Sequence, residues 1–176
     1  MIAGLPPRPG RWFSWEELTT TSQPLSNEIQ DLADGQRLIR LAASLDLLRD
    51  VLGEPLRVNS AFRNAAVNAA VGGSGTSAHR RGLAADVDPP GRWTAETLAA
   101  LAQRIGRATG APWDQVIWYH PDRGGHLHLG LSVGRPRDEL RYAPPSGGEQ
   151  LWTERPAAAQ VVDRWIRQRV QSLQRA

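Results

Sequence analysis

Ser77-Ala-His79-Arg-Arg-Gly82-Leu-Ala-Ala-Asp86 is the stretch on which the reading of this chain turns. Leu83 to Val87 is a short apolar run stopped by Pro89-Pro90-Gly91, which reads as a buried strand. His79 then stands in the loop feeding that strand, and Asp86 stands on it. Downstream, His126-Leu-His128 enters a second strand candidate, Leu127 to Val133. Residues i and i+2 of a strand point to one side, so both imidazoles share a face. The chain has four histidines, at 79, 120, 126 and 128. His79, Asp86 and one member of the His-x-His pair make a two-histidine, one-carboxylate set. Zinc enzymes keep three such protein ligands and one open position. At this level the alternative is a group of solvated loop histidines.

Working outward, the spacing predicts helices around these strands. Ser14-Trp-Glu-Glu17 reads as a capping box that opens a short helix to about Thr20. Leu38, Leu41, Ala42, Leu45 and Leu48 recur at helical steps, so a helix is expected over about Glu28 to Leu52, stopped by Gly53 and Pro55. Arg57 to Phe62 reads as a strand, and Asn64 to Gly75 as a helical start that ends in a glycine loop. Thr94 to Thr109 is expected to be a helix. Gln115 to Tyr119 is a strand, joined to Leu127 through a hairpin at Pro121 to Gly125. The layout implies an α+β fold in which helices pack on a small antiparallel sheet that carries the site. Residues 1–143 are expected to form the site-bearing domain. Residues 144–176 are expected to be a linker and a C-terminal amphipathic helix carrying Val161, Val162, Trp165, Ile166, Val170 and Leu173. That apolar face has two possible destinations: the domain itself, or a partner chain or the cell envelope through residues 156–174.

Composition narrows the function. The chain has 176 residues, 40% of them hydrophobic, enough for one sizeable core. It has no cysteine, which excludes disulfide scaffolds, cysteine zinc modules and thiol catalysis. The net charge of +3 resides beyond residue 134, too weak a field for a dedicated nucleic-acid binder. No apolar run approaches the ~20 residues of a membrane span. Met1 to Trp12 lacks the apolar segment of a secretory signal, so none is expected.

The ordered set Asn59-Ser60-Ala-Phe62-Arg63, Asn68, Gly72-Gly73-Ser74, Ser77-x-His79-x-x-Gly82-x-Ala84-x-Asp86 and His126-x-His128 resembles the zinc D-alanyl-D-alanine carboxypeptidase family. These are peptidoglycan peptidases related in fold to the hedgehog signalling domain. Phe13-Ser-Trp-Glu-Glu-Leu18 looks like the start of the compact, phage-type members, and the resemblance covers about residues 13–133. It implies zinc held by His79, Asp86 and His128, with Asp88 as the rival carboxylate on the same strand face. It also implies that Arg63 anchors substrate near the scissile bond and that Ser77 lies beside the metal. The substrate would be the peptide stems of bacterial peptidoglycan, cleaved by a carboxypeptidase or an endolysin-type endopeptidase. The protein would then be made in the cytoplasm and reach the wall by phage-type release or as part of a virion.

The chain departs from the pattern at one point. Most relatives place a glutamate, the general base, on the strand before the last ligand. Between Asp88 and His128 the only glutamate here is Glu96, at a predicted helix start. A base needs a pKa near the working pH, which histidine meets. His120, at the end of the strand, is the expected base, and His126 the expected oxyanion stabiliser. Tyr119 is a further candidate for contacting substrate or oxyanion. The competing expectation is a virion-associated structural or binding protein that keeps the metal-binding fold without full activity.

Overall fold

The computed structural model describes residues 3–153 and 155–174, with the side chains of 170–174 left aside. Of the positions considered above, Val170, Leu173, Met1 and Ile2 lie outside the described residues or side chains. Among the described residues, five helices and a six-stranded sheet form an α+β unit. The helices are α1 (Trp15–Leu18), α2 (Leu32–Leu52), α3 (Ala65–Ala70), α4 (Ala95–Ala108) and α5 (Pro156–Gln174). The strands are β1 (Arg57–Ser60), β2 (Ala84–Asp88), β3 (Gln115–Tyr119), β4 (Leu127–Gly130), β5 (Glu139–Ala143) and β6 (Gln150–Leu151), ordered β1-β2-β4-β3-β5-β6.

Local chemistry accounts for the boundaries. Ser14 and Glu17 complete the expected capping box of α1. Helix α2 starts four residues later than its periodicity suggested. Asp31 accepts the Ala33 amide as its N-cap, and Gly53 ends the helix in the left-handed region at φ 67°. The expected hairpin between β3 and β4 contains a 3-10 turn, Pro121–Arg123.

The sheet is not purely antiparallel. Strands β3 and β5 run parallel, pairing Gln115 with Glu139 and Tyr119 with Ala143. Sequence patterning gave β5 no strand signal because Glu139 and Arg141 make it look polar. Their side chains pair with each other at 3.0 Å instead. The crossover from β4 is pinned where β5 begins: Asp114 accepts the Arg137 amide at 2.9 Å and its guanidinium at 2.6 Å. The chain then turns through Asp138, whose φ of 55° is left-handed.

The two faces of the sheet do different work. Ala85, Val87, Leu127, Leu129 and Val116 are fully or almost fully buried and face the helices, where Leu41, Leu45, Leu98 and Leu101 meet them. The alternate residues Asp86, His128 and Tyr119 occupy the opposite face. The C-terminal segment returns to the same body. Strand β6 pairs with β5, Val162 and Trp165 enter the core cluster, and Trp165 meets Trp93 edge-on at 5.5 Å. Arg104 and Arg155 pair with Asp163 and Glu96 to bind α5 and its approach to α4. Val161, next to Val162, is half exposed on the outer side of the helix. No helix among the described residues is long and apolar enough to cross a membrane.

Two expected outcomes follow from this packing. Trp165→Ala should cost about 3–5 kcal/mol, the usual range for a large aromatic deleted from a core, read from denaturant midpoints. The hydrogen bonds from Arg137 hold the Asp114 carboxyl below its ordinary value. Asp114→Asn should therefore lower the thermal midpoint at pH 7. The difference between variant and parent should shrink as pH falls below about 3.9 and vanish once the native carboxyl is protonated.

Candidate metal centre

Register places the first two candidate ligands. Strands β2 and β4 pair Asp86 directly with His128, so the two side chains start from adjacent positions on one face. His79 arrives from outside the sheet, on a 3-10 turn, Ala78–Arg81. That turn is stopped by Gly82 at φ 64°, where a Cβ would lie 2.6 Å from the Asp34 carbonyl and 2.9 Å from Leu38. Only glycine fits against α2 there, which explains its place between His79 and the strand.

The three donors converge. His128 Nδ1 lies 2.9 Å from Asp86 Oδ1 and 3.2 Å from His79 Nε2, and His79 Nε2 lies 3.4 Å from Asp86 Oδ1. Zinc bonds of about 2.0–2.2 Å in tetrahedral geometry put neighbouring donors roughly 3.3–3.6 Å apart. Those separations come close to one face of such a tetrahedron. His79 Nδ1 lies 2.7 Å from the Ala61 carbonyl. A carbonyl only accepts, so Nδ1 carries the proton and Nε2 presents its lone pair to the centre. His79 is almost wholly buried, and among the described residues this is the one cluster that could hold a metal ion. The donor set, spacing and tautomer all fit zinc.

The electrostatics suit a cation as well. Burial pushes the Asp86 carboxyl up, but the adjoining His128 and His79 imidazoles outweigh it and hold the group well below the ordinary range. Arg63 Nη2 adds a bond of 2.6 Å to the other carboxylate oxygen, Oδ2. Burial pushes the His79 imidazole down, toward the neutral form that a ligand must have.

The remaining expected residues are distributed unevenly. Arg63, expected to anchor substrate, is engaged with Asp86 and with the Ser60 hydroxyl at 2.7 Å. Ser77 opens the turn that carries His79, and its side chain makes no capping bond. Asp88, the rival carboxylate, accepts from Asn59 Nδ2 and stands outside the converging group. His126 lies close enough to feel the charges of Asp86, His128, Asp88 and Arg63, and burial pushes its imidazole down. Its ring stacks on Tyr119 at 4.3 Å. Tyr119 shares the face of His128, and burial together with Glu149 pushes its phenol up to about 12.

His120 is not brought to this group. It follows Tyr119, so strand alternation turns it to the opposite side. Its Nδ1 accepts the Asp122 amide, and its ring lies 6.5 Å from Tyr142. It lines a cleft of about 650 Å³ with Trp93, Trp118, Tyr119 and Tyr142 that includes none of the three converging donors. Glu96 borders the same cleft, ion-paired with Arg155. Sequence reading missed three contributors: the Ala61 carbonyl, Glu149 on Tyr119, and Asn27. Asn27 is buried and ties Thr19 and Phe62 to the Asn64 amide, bracketing Arg63. A backbone carbonyl leaves no motif, and Glu149 sits in a stretch that reads as linker.

Two histidines and one aspartate thus converge beside one face of the sheet as a donor set that could hold a metal ion. The chain matches the model of the peptidase M15 family over residues 11–117 and belongs to that family, whose members are zinc metallopeptidases acting on peptidoglycan. The match ends inside β3, before His126 and His128. No curated protein matches the chain.

The protein purified without chelator should hold one zinc ion per chain, measured by elemental analysis. His128→Ala should abolish uptake on titration, whereas His120→Ala should leave it intact.

Proposed function

We propose that the protein hydrolyses amide bonds in the peptide stems of bacterial peptidoglycan, with zinc held by His79, Asp86 and His128 and with His126 moving the proton. The observation that carries this reading is the shared face: the converging triad has His126 and Tyr119 beside it and Arg63 behind it. Zinc, when bound, lowers the pKa of a coordinated water to about 7 and polarises the scissile carbonyl.

The chain's own residues do the rest. Arg63 keeps Asp86 anionic and oriented. The Ala61 carbonyl fixes the His79 tautomer. His126, held neutral by its burial, accepts a proton from the attacking water and returns it to the leaving nitrogen as the C–N bond breaks and a C–O bond forms. Tyr119, un-ionised well above neutral pH, offers a hydroxyl beside the reacting groups. The expected pairing of roles, His120 as base and His126 as stabiliser, is thereby revised in favour of His126, because only His126 stands on the ligand face.

One observation favours a non-hydrolytic metal-binding protein: Glu96, the only glutamate between Asp88 and His128, is committed to Arg155. Turbidity loss in purified cell walls separates the two readings. Zinc-dependent clearing is expected, and its absence with a metal-loaded chain overturns the peptidase reading. The product assigns the mode: a free terminal amino acid marks a carboxypeptidase, and a peptide fragment an endopeptidase. His126→Ala should lower turnover by roughly 10²-fold or more at unchanged zinc content, while His120→Ala stays close to the parent. The reverse ranking would return the base to His120.

A further inference from the structure

Tyr119, Ala143 and Glu149 line up across three strands. Tyr119 pairs with Ala143 in the parallel β3/β5 register. Arg141 pairs with Leu151 and Tyr142 with Gln150 in the antiparallel β5/β6 register, so the next step sets Glu149 opposite Ala143. The three side chains therefore start from one face of the sheet, the face of the metal centre. Ala143 is small and fully buried, and the two longer side chains meet above it. The Tyr119 hydroxyl donates to Glu149 Oε1 at 3.3 Å.

A second contact holds this arrangement. Arg123 Nη1 reaches the Pro144 and Gly147 carbonyls, each at 3.5 Å, and its guanidinium lies 5.3 Å from the centre of the Tyr119 ring. One arginine thus clasps both the segment that carries Glu149 and the tyrosine that Glu149 touches. The Tyr119 ring also stacks on His126, nearly parallel at 15°. A phenol has one rotatable O–H. Unrestrained, it would donate and accept indiscriminately toward substrate and water. A carboxylate only accepts, so a proton committed to Glu149 leaves the phenol oxygen presenting its lone pairs to the site.

We propose that Glu149 is a positioning residue for the metal site: through the Arg123-clasped segment 144–149 it fixes the Tyr119 hydroxyl as a hydrogen-bond acceptor for an N–H group of the bound peptide. This rests on the peptidase reading above. Tyr119 is the group that touches substrate, and Glu149 acts through it. The peptide nitrogen of the scissile bond, or its neighbour along the stem, is the donor such an oxygen selects.

The test uses the full chain in two arms. In metal-free protein carrying Tyr142→Phe, Tyr119 is the only remaining tyrosine, because the chain has two. Its phenol titration, followed by ultraviolet difference spectroscopy, should fall from about 12 toward 10 on Glu149→Ala, stopping short because burial persists. In the second arm, on purified cell walls, Glu149→Ala should lower kcat about tenfold with KM little changed, the scale of one lost hydrogen bond. Glu149→Gln, which keeps an accepting oxygen, should recover most of that loss. Tyr119→Phe combined with Glu149→Ala should be no worse than Tyr119→Phe alone. A titration unmoved by Glu149→Ala, additive losses in the double variant, or a Gln variant as impaired as Ala would each overturn the proposal. A parent chain inert on cell walls despite bound zinc overturns the peptidase reading instead. The titration arm then still decides whether Glu149 holds Tyr119.

Discussion

The site depends on one backbone register, the pairing of Asp86 with His128 between β2 and β4. Side chains alternate with a period of two, so a slip of one residue would turn both candidate ligands into the helix-facing core and bring Val87 or Leu127 outward. That slip would bury a carboxylate among leucines and expose residues that are now fully covered. The hydrophobic face therefore enforces the position of the polar one. Only His79 lies outside this constraint, and it has its own: the turn ended by Gly82 against α2 and the bond to the Ala61 carbonyl. Two independent supports meet at one point, which is the condition for donors held at metal-binding distances before any ion arrives.

Preorganisation of this kind has an electrostatic cost that the surrounding residues offset. Asp86 is buried, and burial opposes its charge. The His128 imidazole and the Arg63 guanidinium answer with hydrogen bonds, one carboxylate oxygen facing the two imidazoles and the other facing Arg63. Arg63 was expected at the substrate because an arginine beside a hydrolytic centre suits a carboxylate or carbonyl. In the structure it first serves the carboxylate nearest to it. Its position depends in turn on Asn27, whose side chain binds the backbone on both sides of Arg63.

Much of this was legible in the residues. The helical periodicity of α2 and α4, the capping box at Ser14, the two strands of the ligand pair and the His-x-His face all follow from local patterns, and local patterns are what periodicity reads. The misreadings share a cause. Strand β5 has charged residues at Glu139 and Arg141 that satisfy each other on a partly buried face, so its amphipathicity is invisible without its neighbour β3. His120 and His126 are both near the site in sequence. Which of them faces the ligands is decided by strand parity at Tyr119, where the strand ends and the 3-10 turn begins. The Ala61 carbonyl carries no side-chain signature at all.

The stretch from Pro144 onward shows how an apparent appendage becomes part of the sheet and core. Its composition, Pro-Pro-Ser-Gly-Gly, is that of a linker, and linkers are read as separators. Here it makes a tight return along the open edge of β5, where an unpaired row of N–H and C=O groups would otherwise face solvent. Two residues of β6 suffice to pair part of that edge, and the Trp152 amide adds a further bond to the Leu140 carbonyl. The same two residues set the register that carries Glu149 to Tyr119. Farther on, Arg155 binds Glu96, and Val162 and Trp165 are buried in the core beside α4. The helix thus anchors the segment from its far end, and Arg123 clasps it from the near end. A short strand held from both sides has little freedom to slip. Edge protection and placement of Glu149 on the ligand face therefore follow from the same backbone path.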